Sequence, residues 1–146
     1  MSDGDDTYGQ LPPDAEVWHF PAKPHGGISR SIVDGDTLDL DFDLGMRTRA
    51  SDQRIRLYGV DTAEVFGVLE DSDEYRRGTD HAAFVEAWID RAERMADDYE
   101  EWYLRCYTLK GKGKYGRWLA DVLNVEGNSL VAALYDEFGD EVAYGE

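Results

Sequence analysis

Apolar and polar positions alternate strictly through Leu38-Asp39-Leu40-Asp41-Phe42-Asp43-Leu44, the period of a strand with one face inward. That period predicts Leu38, Leu40, Phe42 and Leu44 inside and the aspartates on a solvated face. Shorter strand-like runs precede it at Glu16 to Phe20 and Ile28 to Val33, and Arg54 to Val60 follows. From Thr79 to about Ala96 the period lengthens to that of a helix. Phe84, Val85, Trp88, Ile89, Ala92 and Met95 form its apolar stripe. Glu101 to Leu109 and Trp118 to Val125 read as two more strands, joined by the Gly-rich basic segment Lys110 to Gly116, and Ser129 to about Phe138 reads as a closing helix.

This order predicts an α+β, mainly β protein: a five-stranded OB-like barrel with two or three helices packed on it. Residues 1–14 are rich in Asp, Gly and Pro and carry no pattern, so they are expected to form a flexible acidic leader before one domain over 15–146. The single cysteine, Cys106, excludes an internal disulfide, and its apolar neighbours predict a buried, inert thiol. No run is apolar enough to span a membrane and no secretory signal is visible, so the expectation is a soluble cytoplasmic monomer with no obligate protein partner.

Charge changes the picture. The chain of 146 residues carries 32 acids against 15 bases, a formal net charge of -17, with 11 Arg to 4 Lys. So acidic a balance argues against a general nucleic-acid binder. A hydrophobic content of 42% with 12% aromatics argues against disorder, which leaves a folded protein whose surface suits concentrated salt. Against this background the clusters of positive charge are informative. Arg47, Arg49, Arg54 and Arg56 form one, Lys110, Lys112, Lys114 and Arg117 another, and no acid lies between Leu109 and Ala120. An anion site requires such fixed cations, and Arg presents a planar fork to two oxygens; ordinary ion pairing with neighbouring Asp is the alternative.

Val33-Asp34-Gly35-Asp36-Thr37 and Val60-Asp61-Thr62-Ala63-Glu64 are acidic turns beside apolar strands, where hard cations can be held. Asp-Gly-Asp alone is a turn signal. The alternating aspartates of 39–43 are no EF-hand, since Leu44 and Ala50 stand where that loop needs Gly and Glu. His19, His25 and His81 lack metal-ligand spacing and read as structural or surface residues, so zinc is not expected.

Taken together, Val33 to Thr37, Arg56-Leu57-Tyr58-Gly59-Val60-Asp61-Thr62-Ala63-Glu64 and Lys114-Tyr115-Gly116-Arg117 resemble, in family order, the three signature segments of staphylococcal-nuclease-like (thermonuclease) proteins. The resemblance covers roughly Ile28 to Tyr144. It implies a calcium-dependent nuclease acting on DNA or RNA and leaving 3′-phosphate ends. It makes Asp36, Asp61 and the carbonyl of Thr62 the Ca2+ ligands, Glu64 the general base, and Arg56 and Arg117 the phosphate-binding catalytic arginines. Lys114, Tyr115 and Tyr144 match substrate-contacting positions. The chain departs from the family in a longer stretch from Asp36 to Arg56, in Ala63 where a proline is common, and in an acidic loop at Glu70, Asp71 and Asp73. Two other readings are a binding module of the same fold without catalysis, and an enzyme acting on a small nucleotide or another phosphodiester.

Overall fold

The computed structural model describes residues 16–63, 72–112 and 117–142. The expected leader, and Glu64, Lys114, Tyr115 and Tyr144, lie outside these residues. Six strands and three helices follow one another as β1 (Val17–Pro24), α1 (Ile28–Ser31), β2 (Ile32–Asp34), β3 (Thr37–Gly45), β4 (Thr48–Leu57), α2 (Asp73–Met95), β5 (Leu104–Lys112), β6 (Trp118–Leu123) and α3 (Leu130–Phe138), with a 3-10 turn at Gly139–Val142.

Five strands close in the order β1-β5-β6-β4-β3 and back to β1, and β2 adds a short hairpin partner to β3. All pairings are antiparallel except β4 with β6, where Ile55 faces Trp118 and Leu57 faces Ala120. Parallel neighbours need a crossover, and α2 lies within the connection that makes it. The result is the expected OB-like, mainly β barrel with helices packed on it. No helix among the described residues is long and apolar enough to cross a membrane.

The barrel core is drawn from alternate strand positions and closed by helix stripes: Leu38, Leu40, Ile55, Leu57, Leu104, Cys106 and Val122 meet Val85, Ile89, Leu130 and Leu134, all fully buried. Cys106 is buried as expected, and burial pushes its thiol pKa up, which keeps it protonated and inert. Helix α2 begins at Asp73, six residues before the position expected from its periodicity. Ser72 accepts a hydrogen bond from the Tyr75 amide, and Asp73 and Glu74 complement the positive end of the helix dipole.

Several expectations are corrected. Ile28 to Val33 is not one strand. A helical turn occupies Ile28–Ser31, where the Ser31 amide donates to the Gly27 carbonyl and its hydroxyl to that of Ile28. Gly26 and Gly27, both at positive φ, turn the chain into it. Leu44 is not inside: it is 42% exposed, because β3 runs past the packed part of the barrel at its hairpin end. The aspartate face of β3 is not uniformly solvated. Asp41 is buried, accepting from the Asp52 amide and bonded to His25 Nδ1 at 2.8 Å each. Strand β4 ends at Leu57 rather than Val60, since Gly59 adopts φ +83° and breaks the ladder. Strand β5 starts at Leu104, not Glu101, and β6 stops at Leu123, before the Asn124 turn whose side chain accepts from the Glu126 and Asn128 amides.

Candidate functional site

The first acidic turn joins β2 to β3, and the second comes after β4. Antiparallel pairing places Thr37 opposite Arg56, so the start of β3 and the end of β4 share one pole of the barrel. There the Leu57 amide donates to the Asp36 carbonyl at 2.8 Å, which ties the two segments through backbone alone. The sequence pattern makes Gly35 a turn residue, but its local reason is close approach. A Cβ at this position would lie 2.9 Å from His81 Cβ and 3.0 Å from Thr62 Cγ2, leaving no room for a side chain.

Asp36 is buried and oriented from both sides: the Thr37 hydroxyl donates to Oδ1 at 2.8 Å and the Thr62 amide to Oδ2 at 2.9 Å. Arg56, with its side chain 13% exposed, donates from Nη1 to the carbonyls of Leu57 and Val60 at 2.9 and 2.6 Å. The same Nη1 lies 3.5 Å from Asp36 Oδ2, and Nη2 lies 3.3 Å from Asp61 Oδ1. One guanidinium therefore stands between the two carboxylates. Asp61 is the open side of the cluster, with its side chain 59% exposed and its amide anchored to the Val142 carbonyl at 2.9 Å.

Helix α2 fixes the end of this turn. The Ala63 amide donates to His81 Nδ1 at 3.0 Å, which places the imidazole hydrogen on Nε2. That ring packs edge-on against Phe138 at 4.5 Å, with Nε2 3.7 Å from Glu141 Oε1. His81 is thus a structural residue, as expected, yet it positions the backbone beside the site. Tyr135 of α3 supports the same loop by donating from its hydroxyl to the Gly59 carbonyl at 2.5 Å. Sequence reasoning misses both roles. His81 sits four residues before Val85 and eight before Ile89, so extending the helical stripe backward would have placed it on the buried face.

The structure thus gathers Asp36, Arg56, Asp61 and Thr62. Arg117 directly precedes β6, and the parallel register of Ile55 with Trp118 sets it beside β4, next to the strand that carries Arg56. Glu64, Lys114, Tyr115 and Tyr144 fall outside the described residues. Among the described residues no group of three or more His, Cys, Asp and Glu side chains could hold a metal. A cation here would rest on two carboxylates completed by backbone, water or substrate oxygens. Asp36 and Asp61 both approach the Arg56 guanidinium, and an oxygen-only donor set suits a hard cation. Among the described residues Thr62 Oγ1 is buried without a hydrogen-bond partner, a further oxygen at the same turn.

The fold and this cluster define an OB-like barrel protein with a carboxylate and arginine centre at one pole. Comparisons of the chain with family models, with curated proteins and with solved structures return no match.

Proposed function

We propose that this chain is a calcium-dependent nuclease that hydrolyses DNA or RNA phosphodiester bonds. The observation that carries the reading is the Arg56 guanidinium held between Asp36 and Asp61, in a loop fixed by backbone hydrogen bonds. Two motif segments, distant in sequence, supply it, and the third, which ends at Arg117, leads into the strand beside β4.

On this reading Asp36, Asp61 and the Thr62 carbonyl hold Ca2+, which supplies Lewis-acid stabilisation of charge on a phosphoryl oxygen when bound. Arg56 and Arg117 bind the equatorial phosphate oxygens, where negative charge grows in the transition state. Glu64, next in the chain after the residue fixed by His81, takes the proton of the attacking water. The water oxygen bonds to phosphorus, the bond to the 5′ oxygen breaks, and that oxygen takes a proton from solvent. The products are a 3′-phosphate and a 5′-hydroxyl.

Digestion of plasmid DNA and of single-stranded RNA in about 1 M KCl, with calcium and with excess chelator, tests this. Cleavage with calcium that stops in chelator is expected. Undiminished cleavage in chelator overturns the calcium assignment, and no cleavage in either condition leaves a binding module of the same fold.

A further inference from the structure

One end of the barrel carries a recess of about 180 Å³ to which all five barrel strands contribute and no helix does. Trp18, Phe20, Phe42, Leu44, Gln53 and Trp118 form most of its lining, and the exposed lining surface is almost entirely apolar. Trp18 is 44% exposed here, where a side chain that merely closed the barrel would be covered.

The aromatic rings are held in place. Trp18 and Phe20 stack with centroids 6.1 Å apart and planes 20° from parallel, and Trp118 donates its Nε1 hydrogen to Gln53 Oε1 at 3.3 Å. Lys110 Nζ lies 4.6 Å from the centroid of the Trp18 ring, so a cation stands at the lip of the recess. Lys110 begins the basic run that continues in the sequence through Lys112, Lys114 and Arg117, with no acid before Asp121. Trp118 is the residue after Arg117 and pairs with Ile55, the neighbour of Arg56 on β4.

We propose that this recess is a stacking site for one unpaired base of a single-stranded nucleic acid, with Lys110 paired to the adjacent phosphate. The inference rests on the nuclease reading for its substrate and adds where the strand runs and which form of it is accepted. A void of about 150 Å³ admits one six-membered aromatic ring, so this recess takes one heterocycle and excludes a stacked pair. A base-paired strand cannot offer a free face, and single strands are therefore preferred. Lys110 supplies at the recess the positive charge that a phosphate beside the base requires, in a chain whose net charge is -17.

The test is binding in excess chelator, where nothing is cut. A labelled oligothymidylate of about eight nucleotides and an abasic strand of equal length are titrated in about 1 M KCl, which suppresses purely electrostatic contacts. The oligothymidylate is expected to bind at least roughly tenfold tighter than the abasic strand, and Trp18→Ala to remove that difference while Trp18→Tyr keeps it. Equal binding of the two strands by the unsubstituted protein overturns the proposal without recourse to any variant. So does an undiminished base-dependent affinity in Trp18→Ala. Saturable binding of dodecanoate without oligonucleotide binding, or self-association lost in Trp18→Ala, overturns it in favour of an apolar chain or a second copy. Base-dependent binding without calcium-activated cleavage removes the nuclease reading and leaves the site; cleavage without base-dependent binding removes the site alone.

Discussion

Arg56 illustrates why residue type and not charge alone matters at this centre. Its Nη1 meets two carbonyls while both nitrogens of the fork approach carboxylates, and a phosphate oxygen would be met by the same fixed plane. Lysine keeps the charge but cannot reproduce that fork, so Arg56→Lys is expected to lower kcat/KM at least roughly 100-fold, measured on a short oligonucleotide with calcium. Near-normal turnover would show that Arg56 serves only the fold. Gly35 is the opposite case, where absence of a side chain is the requirement. A Cβ 2.9 Å from His81 Cβ must push helix α2 or the Thr62 loop aside. Gly35→Ala is expected to cost about 1–3 kcal/mol by urea denaturation, and an unchanged midpoint would mean that the turn relaxes freely.

Among the elements, β6 and α3 are joined by one buried carboxylate. Asp121 Oδ1 accepts from the Val122 amide at 2.8 Å and the Val131 amide at 3.3 Å, and Oδ2 accepts from the Ser129 hydroxyl at 2.7 Å. Ser129 in turn caps α3 through the Ala132 amide. Burial raises the Asp121 pKa, and these hydrogen bonds pull against the rise without cancelling it. The folded state therefore holds the proton more tightly than the unfolded state. Below the ordinary aspartate value of about 4 both states are protonated and the group's contribution is at its most favourable. As pH climbs through that value the unfolded chain ionises first, and stability falls until the folded carboxyl also ionises. Asp121→Asn retains an acceptor oxygen and lacks the titration, so its melting temperature should gain on the unsubstituted protein between about pH 4 and pH 7. A difference that stays constant over that range would refute the buried, proton-holding role.

For the molecule as a whole the dominant quantity is the net charge of -17. Ion pairs relieve part of the repulsion among the acids: Arg54 with Asp39 at 2.8 Å, Lys23 with Glu101, Arg94 with Asp90 and Arg76 with Asp73. The hydrogen-bonded Asp39 carboxylate raises the Arg54 pKa, and Lys23 lowers that of Glu101. These pairs lie at the surface, where water screens them and each contributes little. Raising salt from about 0.1 M to about 1 M shortens the Debye length from roughly 10 Å to roughly 3 Å and weakens both the pairs and the much more numerous repulsions. The repulsions win because acids outnumber bases 32 to 15. Melting temperature and calcium-dependent cleavage are both expected to rise over that range in KCl. Highest activity at the lowest salt with an unchanged melting temperature would exclude a surface built for concentrated salt.

Local period and residue chemistry were enough to specify much of this protein. The alternation in β3, the stripe of α2, the Ser129 cap and the buried Cys106 are legible along the chain because burial of one face imposes a repeat on neighbouring residues. The resemblance to nuclease signature segments points to Asp36, Arg56, Asp61, Thr62 and Arg117, and the fold gathers the first four of these. Features without a local signal were settled by the packed barrel. Leu44 and Asp41 exchange the environments their period predicts, because barrel closure covers one end of β3 and leaves its hairpin end open. Gly35 is required by His81 and Thr62, residues far along the chain, and the Arg56 fork is oriented by carbonyls that converge only once β4 ends at a positive-φ glycine. A period records which face is inward, whereas contacts between distant segments depend on register and on the parallel closure of β4 with β6, which no local pattern encodes.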